Sequence, residues 1–280
     1  MTVEEIIKKA LQEDIGSGDH TSLATVPAGA TGKSKLLVKE EGVIAGIEIA
    51  RQVYQQLDPS VNFEGLISDG SRVKPGDIAF FVTGSSRSIL SGERLALNFM
   101  QRMSGIATAT ARLVKLIDGT GCRILDTRKT TPLLRELEKT AVRLGGGENH
   151  RMGLYDMIMI KDNHVDFAGG IGKAIDAVNQ YVRSKAEVSQ LKIEIEVRNF
   201  EELKQVMEHG GVHRIMLDNF SVPDLAKAVG IIAKAYEMEA SGGINISNIR
   251  QYAETGVDFI SVGALTHHIN SLDMSLKAVL

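Results

Sequence analysis

The sequence lacks several features that would assign it to a class at once. Its single cysteine, Cys122, excludes an intramolecular disulfide and any metal site built from several cysteines. Its net charge of −3 disfavours a general nucleic-acid or anionic-membrane binder, because such partners require a basic face. No apolar run approaches the ~18 residues that a membrane-spanning helix requires. We therefore expect a cytoplasmic protein with no nucleic-acid or membrane partner.

What is present is the composition of an ordinary globular protein, with 43% hydrophobic and 24% charged residues in a chain of 280. Apolar residues at helical spacing from Val3 to Ile15 predict a first helix that ends at Gly16. Short strand-like segments between residues 32 and 84, with one helical interval, predict a small α+β domain. A long helical stretch follows from Ser88 to Ile117, and Gly105 is a position where it could bend or split.

After Cys122 the pattern alternates between strands and helices through six units. Three strand ends, Glu196, Asp218 and Ala240, are each 22 residues apart, a regular spacing typical of successive units of a (β/α) barrel. Eight units are absent. The pattern therefore favours an incomplete barrel of about six strands, with a doubly wound open sheet as the main alternative.

Basic residues collect where loops follow strands between Asp126 and His164. Such positions in α/β proteins usually face a ligand. Five donors lie there: Arg128, Lys129, His150, Arg151 and Lys161. Arginine binds carboxylates and phosphates through two parallel hydrogen bonds, so this placement predicts an anion-binding site for a ligand with several negative groups.

The other basic residues of this region are predicted to be solvated. Arg135, Lys139 and Arg143 lie on one predicted helix with Glu136 and Glu138, which indicates an exposed charged face. Arg94 and Arg102, taken alone, are expected to be exposed side chains of the long helix, since charged residues are mostly exposed.

A phosphate site is predicted where Ser241, Gly242 and Gly243 directly follow an apolar strand and precede a helix. Backbone N–H groups can converge on an anion there, with help from the following helix dipole. Gly263 occupies a similar position one unit later, as in the paired phosphate loops of barrels. Phosphate binding is favoured over a plain tight turn.

Acidic residues end two neighbouring units. Glu194 and Glu196 alternate with apolar residues, so their carboxylates point to the same side of a strand, and Asp218 ends the next strand. Glu196 and Asp218 could bind Mg²⁺ directly or through water, could hydrogen-bond sugar hydroxyls, or could form ion pairs with nearby basic residues. The residues alone do not choose between these roles. No Ser-His-Asp spacing, P-loop or GxGxxG turn is present.

Several motifs together resemble the quinolinate phosphoribosyltransferase family. They are TRKTTPLLRELEKTAVRLGGGENHRMGLYDMIMIKDNH, IEIEV, IMLDN, EASGGI, VDFISVGALTH and SGERLALNFMQRMSGIATAT. The resemblance covers nearly the whole chain. It implies an enzyme that combines quinolinate with phosphoribosyl pyrophosphate, with Mg²⁺, to give nicotinate mononucleotide, pyrophosphate and CO₂.

The resemblance also implies an architecture. An N-terminal α/β sandwich would comprise residues 1–105, joined by residues 268–280, and an incomplete α/β barrel would comprise residues 106–267. Two chains would form a homodimer with shared active sites, and dimers could assemble into a hexamer.

Residue roles follow from the matching motifs. Arg128, His150, Arg151 and Lys161 would form the quinolinate pocket, with Arg94 from the partner subunit. Lys129, Glu196 and Asp218 would meet the phosphoribosyl pyrophosphate and its Mg²⁺, and Lys129 and Lys161 would act in catalysis with these two carboxylates. Ser241, Gly242, Gly243, Gly263 and His267 would surround phosphate. His268 replaces a residue that is usually small and has no assigned role.

Three alternatives remain. A related phosphoribosyltransferase would use another acceptor. A phosphate-binding barrel isomerase or lyase, or a non-catalytic nucleotide sensor, would leave the TRKT and ENHR motifs without a role.

Overall fold

The computed structural model describes residues 1–279. The helices are α1 (Val3–Ile15), α2 (His20–Thr25), α3 (Ile47–Leu57), α4 (Ser86–Leu116), α5 (Arg135–Leu144), α6 (Asp162–Ala168), α7 (Ile171–Ser184), α8 (Phe200–His209), α9 (Val222–Ile232), α10 (Ile249–Ala253) and α11 (Ala264–His267). The strands are β1 (Thr31–Val38), β2 (Gly42–Val43), β3 (Asn62–Gly65), β4 (Arg72–Val73), β5 (Ile78–Ser85), β6 (Arg123–Leu125), β7 (Ile158–Ile160), β8 (Ile193–Val197), β9 (Arg214–Asp218), β10 (Glu237–Ser241), β11 (Phe259–Ser261) and β12 (Met274–Ala278). None of the helices in this range is long and apolar enough to cross a membrane.

The prediction for the first helix is confirmed. Helix α1 runs from Val3 to Ile15 and is followed by Gly16, which has φ +53°. Thr2 and Glu5 form a capping box at its start, so two backbone N–H groups that the first turn leaves without partners are satisfied by side chains.

The chain forms two compact units. The first contains residues 1–111, 130–146 and those from 265 onward, and the second contains residues 112–129 and 147–264. The predicted boundary between residues 105 and 106 therefore falls inside helix α4, which is not split at Gly105. A Cβ atom at Gly105 would collide with the carbonyl oxygen of Asn270, so this glycine permits a close approach between two segments rather than a bend.

The first unit is built on an antiparallel sheet of order β12-β1-β5-β3, with a two-stranded β2-β4 ladder beside it. Tyr54 of α3 packs against Phe63 and Phe80 of the sheet, with ring centroids 6.2 and 6.5 Å from the tyrosine ring. Helix α5 also belongs to this unit, because Gly145 at its end lies against the carbonyl of Ala107 on α4. The C-terminal strand β12 pairs antiparallel with β1 of this sheet.

The second unit contains one parallel sheet of six strands, in the order β6-β11-β10-β9-β8-β7. From β7 to β11 each strand is added on the same side of its predecessor, and β6 lies beyond β11. A doubly wound sheet would instead reverse direction at a switch point. No ladder joins β6 to β7 in the described part of the chain, so the barrel is open. The predicted incomplete (β/α) barrel of about six strands, with an α+β domain before it, is confirmed.

Candidate active site

The carboxyl ends of the six parallel strands lie at one edge of the barrel. The ligand-binding residues that the sequence predicts in the second unit lie at or just after these ends. Arg128 and Lys129 follow β6, Lys161 follows β7, and Glu196 lies one residue before the end of β8. Asp218 ends β9 and Ser241 ends β10, with Gly242 and Gly243 after it, and Gly263 follows β11. The fold therefore brings these predicted residues to a common edge.

His150 and Arg151 reach this edge through a short segment that extends the sheet beyond β6. Glu148 bridges to Leu125 in parallel, and its amide donates to the carbonyl of Ile124 at 2.8 Å. Asp126, fully buried, accepts the amide of His150 at 2.9 Å and the side-chain amide of Asn149. A buried carboxylate with several donors is well satisfied, so Asp126 holds the start of the ENHR loop.

Arg128 and Arg151 lie close enough to interact as like charges. Burial lowers the pKa of Arg151, and the charge of Arg128 lowers it further. The Arg151 guanidinium donates to the carbonyl of Met157 at 3.2 Å, which ties the loop to the start of β7. Arg128 is exposed and Arg151 is half-buried, so a dianion that contacts both would be stabilised by two neighbouring positive charges.

Lys161 and Glu196 form the next part of the edge. Nζ of Lys161 donates to Oε2 of Glu196 at 2.7 Å; Glu196 is nearly buried, whereas Lys161 is half-exposed. Of the roles left open for Glu196, the structure contains the ion pair. His164 accepts the amide of Lys161 at 2.9 Å through Nδ1 and so caps α6.

Asp218 and the double-glycine turn are interlocked. Asn219 donates from its side chain to Asp218 at 2.6 Å, and its amide donates to the carbonyl of Ser241 at 2.8 Å. Gly242 has φ +94°, and a Cβ atom there would lie 2.8 Å from the backbone nitrogen of Asn219, so only glycine fits. Gly243 also has positive φ, at +63°. Successive turns of this kind can direct amides toward an anion.

The prediction that a helix directly follows the glycine turn and helps to bind phosphate is wrong. Helix α10 begins at Ile249, six positions after Gly243, and has only five residues. It therefore does not start at the glycine turn, and its dipole cannot be the source of anion binding there. The predicted phosphate site therefore depends on the backbone conformation of Ser241, Gly242 and Gly243 alone.

The ring of His150, predicted to contact the ligand, instead faces two buried carboxylates. The ring is itself buried, and Nε2 lies 3.1 Å from Oε2 of Glu194 and 3.3 Å from Oε2 of Glu239. The three residues form the one group of three or more His, Cys, Asp or Glu side chains in residues 1–279 whose ligand atoms are close enough to hold a metal ion. Arg214 adds a positive charge, since its Nη1 is 3.2 Å from Oε2 of Glu239 and 3.9 Å from Oε2 of Glu194.

These buried charges shift one another's pKa values. Burial lowers the pKa of His150, but Glu194 and Glu239 outweigh it and raise the pKa to about 9. Burial and Glu239 raise the pKa of Glu194. Burial also opposes ionisation of Glu239, yet His150, Ser261 and Arg214 hold its pKa below the usual range. The charged forms of Glu194 and Glu239 are therefore stabilised by His150 and Arg214, which lie between them.

Two predicted residues belong to the first unit. Arg94 is exposed on α4, and His267 is exposed at the end of α11. The rings of His267 and His268 contact each other edge to face, with centroids 4.5 Å apart.

Sequence reasoning missed a buried network in the first unit. Arg102, expected to be solvated, donates to Glu138 at 2.8 Å, to Oγ1 of Thr131 at 2.8 Å and to the carbonyl of Thr266 at 3.0 Å. Glu138 and Lys139, expected on an exposed face, are buried. No local pattern predicts these contacts, because the partners lie on segments far apart in the chain.

A local sequence pattern does indicate the buried charged layer around His150. EMEAS on β10 alternates acidic and apolar residues just as IEIEV does on β8, and RIMLD on the strand between them starts with Arg214. Two such strands flanking an arginine indicate a buried ionic layer.

An open six-stranded (β/α) barrel with neighbouring arginines, a lysine-carboxylate pair and a double-glycine turn at the carboxyl edge is an arrangement typical of enzymes that act on organic anions and phosphate esters. The family model "Quinolinate phosphoribosyl transferase, N-terminal domain" matches residues 19–104, and the model of the C-terminal domain of the same family matches residues 106–277. The chain belongs to the quinolinate phosphoribosyltransferase family.

Individual relatives agree with this membership. The chain is 43% identical to the mitochondrial quinolinate phosphoribosyltransferase [decarboxylating] 2b of Nicotiana tabacum, over 98% of this chain and 82% of the relative. The nicotinate-nucleotide pyrophosphorylase structure from Francisella tularensis has a TM-score of 0.93 at 41% identity, covering 99% of this chain and 96% of the other. The NadC structure from Streptococcus pyogenes has a TM-score of 0.92 at 38% identity, covering 99% and 97%.

Proposed function

We propose that this protein transfers the phosphoribosyl group of phosphoribosyl pyrophosphate to quinolinate and releases pyrophosphate and CO₂, giving nicotinate mononucleotide for de novo NAD synthesis. The observation that carries the proposal is the proximity of Arg128 and Arg151 at the carboxyl edge of the barrel, where Lys161 also lies, directly after β7. Quinolinate is a dicarboxylate, and its two negative groups would neutralise these cations.

The acceptor pocket in this proposal consists of Arg128, His150, Arg151 and Lys161. Arg128 and Arg151 would grip the ring carboxylates, and Lys161 would contribute a third positive charge. The contact between Lys161 and Glu196, at 2.7 Å, joins the acceptor pocket to the donor site. Because the two proposed sites adjoin at this contact, the pyridine nitrogen of quinolinate would be held beside the reacting carbon of the ribose.

The donor site in this proposal consists of Lys129, Glu196, Asp218 and the glycine turns. The amides of the turn Ser241, Gly242 and Gly243, together with Gly263 and His267, would surround phosphate, and Lys129 would meet the pyrophosphate. These roles need a cleft that concentrates positive charge in an acidic protein, which the strand-end positions supply.

Magnesium is part of the proposal. Mg²⁺ is usually held by one or two carboxylates together with substrate phosphates. Glu196 and Asp218 end adjacent parallel strands and offer oxygen ligands of this kind, so the residues present fit the ion. When bound, Mg²⁺ would stabilise negative charge on the leaving pyrophosphate.

The chemistry then requires orientation and charge stabilisation rather than proton removal. The pyridine nitrogen has a free electron pair, so no general base is needed for its attack on the ribose carbon. Lys129 and Lys161 would balance the charge that grows on pyrophosphate in an oxocarbenium-like transition state. The ring then carries a positive charge, which stabilises the carbanion left when the adjacent carboxylate departs as CO₂, and a proton from water completes nicotinate mononucleotide.

The test is an assay with purified protein, phosphoribosyl pyrophosphate and Mg²⁺, in which nicotinate mononucleotide and CO₂ are measured together. Quinolinate should be converted, and nicotinate should not, because nicotinate lacks the second carboxylate that the two arginines are proposed to bind. Turnover with another acceptor but not with quinolinate would instead support the related phosphoribosyltransferase.

A variant series locates the acceptor pocket. Arg151→Ala should weaken quinolinate binding by several kcal/mol, or about 30-fold or more, since a desolvated carboxylate loses a charge-assisted partner. Arg183→Ala, at an exposed arginine in the last turn of α7, is the matched control and should bind normally. Unchanged quinolinate affinity in the Arg151 variant would contradict the assignment.

A homodimer with shared active sites is also proposed, with a hexamer as a further possible assembly. Arg94 is exposed on α4 and could therefore enter the site of a second chain. Arg94→Ala and Lys161→Ala, each inactive alone, should recover up to about a quarter of wild-type activity when mixed, because half of the dimers would be mixed and would have one intact site. Verified subunit exchange with no recovery would refute shared sites.

A cytoplasmic location completes the proposal. It is supported by the one cysteine, Cys122, which is a buried free thiol. Fractionation of the source cells, with the enzyme assay as readout, would test it.

A further inference from the structure

The cluster around His150 suggests a role for residues that have none in the proposed mechanism. Glu194 and Glu239 are fully buried inside the barrel, on strands that flank β9, and neither is expected to touch a substrate. Buried carboxylates are costly unless cations meet them, and removal of one partner is strongly destabilising. Here the partners of the carboxylates are the Nε2–H of His150 and the guanidinium of Arg214.

The ring of His150 connects this cluster to the acceptor pocket. The backbone N–H of Arg151 donates to Nδ1 of His150 at 2.7 Å. Nδ1 must therefore present its electron pair, so the ring proton is on Nε2, the atom that faces the two carboxylates. Despite burial, the carboxylates raise the pKa of the ring because they stabilise the proton on Nε2, whereas the amide of Arg151, which donates to Nδ1, opposes a second proton at that atom.

Arg214 is fixed independently of His150. Its guanidinium stacks on the ring of Phe259, 4.1 Å from the centroid, and pairs with Glu237 at 3.1 Å on its more exposed side. It therefore supplies a rigid positive charge to Glu239 at 3.2 Å. Because the guanidinium lies 3.2 Å from Oε2 of Glu239 and 3.9 Å from Oε2 of Glu194, a divalent cation bound between these carboxylates would be repelled by it.

We propose that Glu194 and Glu239 are positioning residues, which act through His150 on Arg151. Their carboxylates accept from Nε2–H of His150, and Nδ1 of that ring accepts from the backbone amide of Arg151. The backbone at Arg151 then directs its guanidinium toward the acceptor substrate. Arg151 also donates to Met157 at 3.2 Å, so both its amide and its side chain are restrained. The inference rests on the proposed function only where it assigns quinolinate as the ligand of Arg151.

The kinetic test uses two isosteric variants and one matched control. Glu239→Gln and Glu194→Gln each remove one charge that faces His150. Glu237→Gln removes a carboxylate that pairs with the same arginine, Arg214, but does not face His150. We expect KM for quinolinate to rise about ten- to hundred-fold in the first two variants. KM for phosphoribosyl pyrophosphate should change less than about twofold in all three, a split that general loss of structure would not produce.

A spectroscopic test of the ring does not require turnover. In protein labelled with ¹⁵N-histidine, the signals of His150, assigned by comparison with His150→Gln, should identify a ring protonated at Nε2 and unprotonated at Nδ1. The Glu239→Gln and Glu194→Gln variants should alter these signals, and Glu237→Gln should not. A ring protonated at Nδ1 in the wild type would overturn the proposal.

Two further outcomes would also overturn it. One is a quinolinate KM within about twofold of wild type in both Glu239→Gln and Glu194→Gln. The other is a stoichiometric metal ion in the purified protein that disappears in these variants, since the cluster would then be a metal site. If the wild type does not convert quinolinate at all, the proposed function fails, while the ring signals still decide the positioning role.

Discussion

Replacing Arg102 with alanine should destabilise the first unit strongly. The carboxylate of Glu138 is 1% exposed; its Oε1 accepts from Nε of Arg102 at 2.8 Å, and its Oε2 accepts from the amide of Thr131 at 3.1 Å. Without the arginine, this buried carboxylate loses its charged partner. Breaking a buried ion pair from one side costs about 3–5 kcal/mol, and we expect a loss in this range.

The measurement is urea unfolding followed by circular dichroism, with attention to separate transitions, because two compact units need not unfold together. Arg112→Ala is the matched control. Arg112 is exposed on the same helix, so its replacement should change the free energy of unfolding by no more than about 0.5 kcal/mol.

A double variant separates the charge effect from the loss of packing. Arg102→Met combined with Glu138→Leu removes both charges, and it should recover much of the stability lost in Arg102→Ala, because no buried carboxylate is left unpaired. A loss below about 1 kcal/mol in Arg102→Ala, or a double variant less stable than either single one, would refute the reasoning.

Three other outcomes are expected. Gly242→Ala should raise KM for phosphoribosyl pyrophosphate more than KM for quinolinate, because its Cβ would displace Asn219 at a backbone φ of +94°; equal changes in both constants would argue against a donor-side turn. Cys122 should not react with a thiol reagent in the native protein and should react once per chain in urea, since burial raises the pKa of its thiol to about 12 and only the thiolate is nucleophilic. Asp126→Asn should cost about 1–3 kcal/mol of stability and weaken quinolinate binding, because the buried acceptor of the His150 amide is altered; calorimetry with quinolinate measures the second effect.

Local patterns predicted much of this protein. The apolar spacing of α1, the glycine that follows it and the six strand-helix units depend on neighbouring residues, and each was confirmed. The 22-residue spacing of Glu196, Asp218 and Ala240 reflects the repeat of one strand and one helix, which is why it indicated a barrel. The family was also predictable, because its motifs are continuous in sequence.

The sequence by itself determined which side chains follow the strands, and therefore the chemistry of the edge. Parallel strands place their carboxyl ends together whatever the details of packing. Arg128 and Lys161 could thus be assigned to one edge before the structure was known. Their roles toward substrate stay predictions.

Only the tertiary structure decided which buried charges meet. His150 meets Glu194 of β8 and Glu239 of β10, and Arg102 meets Glu138 of α5, because strand order and helix packing bring distant segments together. A charged residue on a helix has the same local pattern whether it is solvated or paired inside, so Arg102, Glu138 and His150 could not be placed from sequence. The free energy of desolvation, and the partner that offsets it, depend on contacts made only in the folded chain.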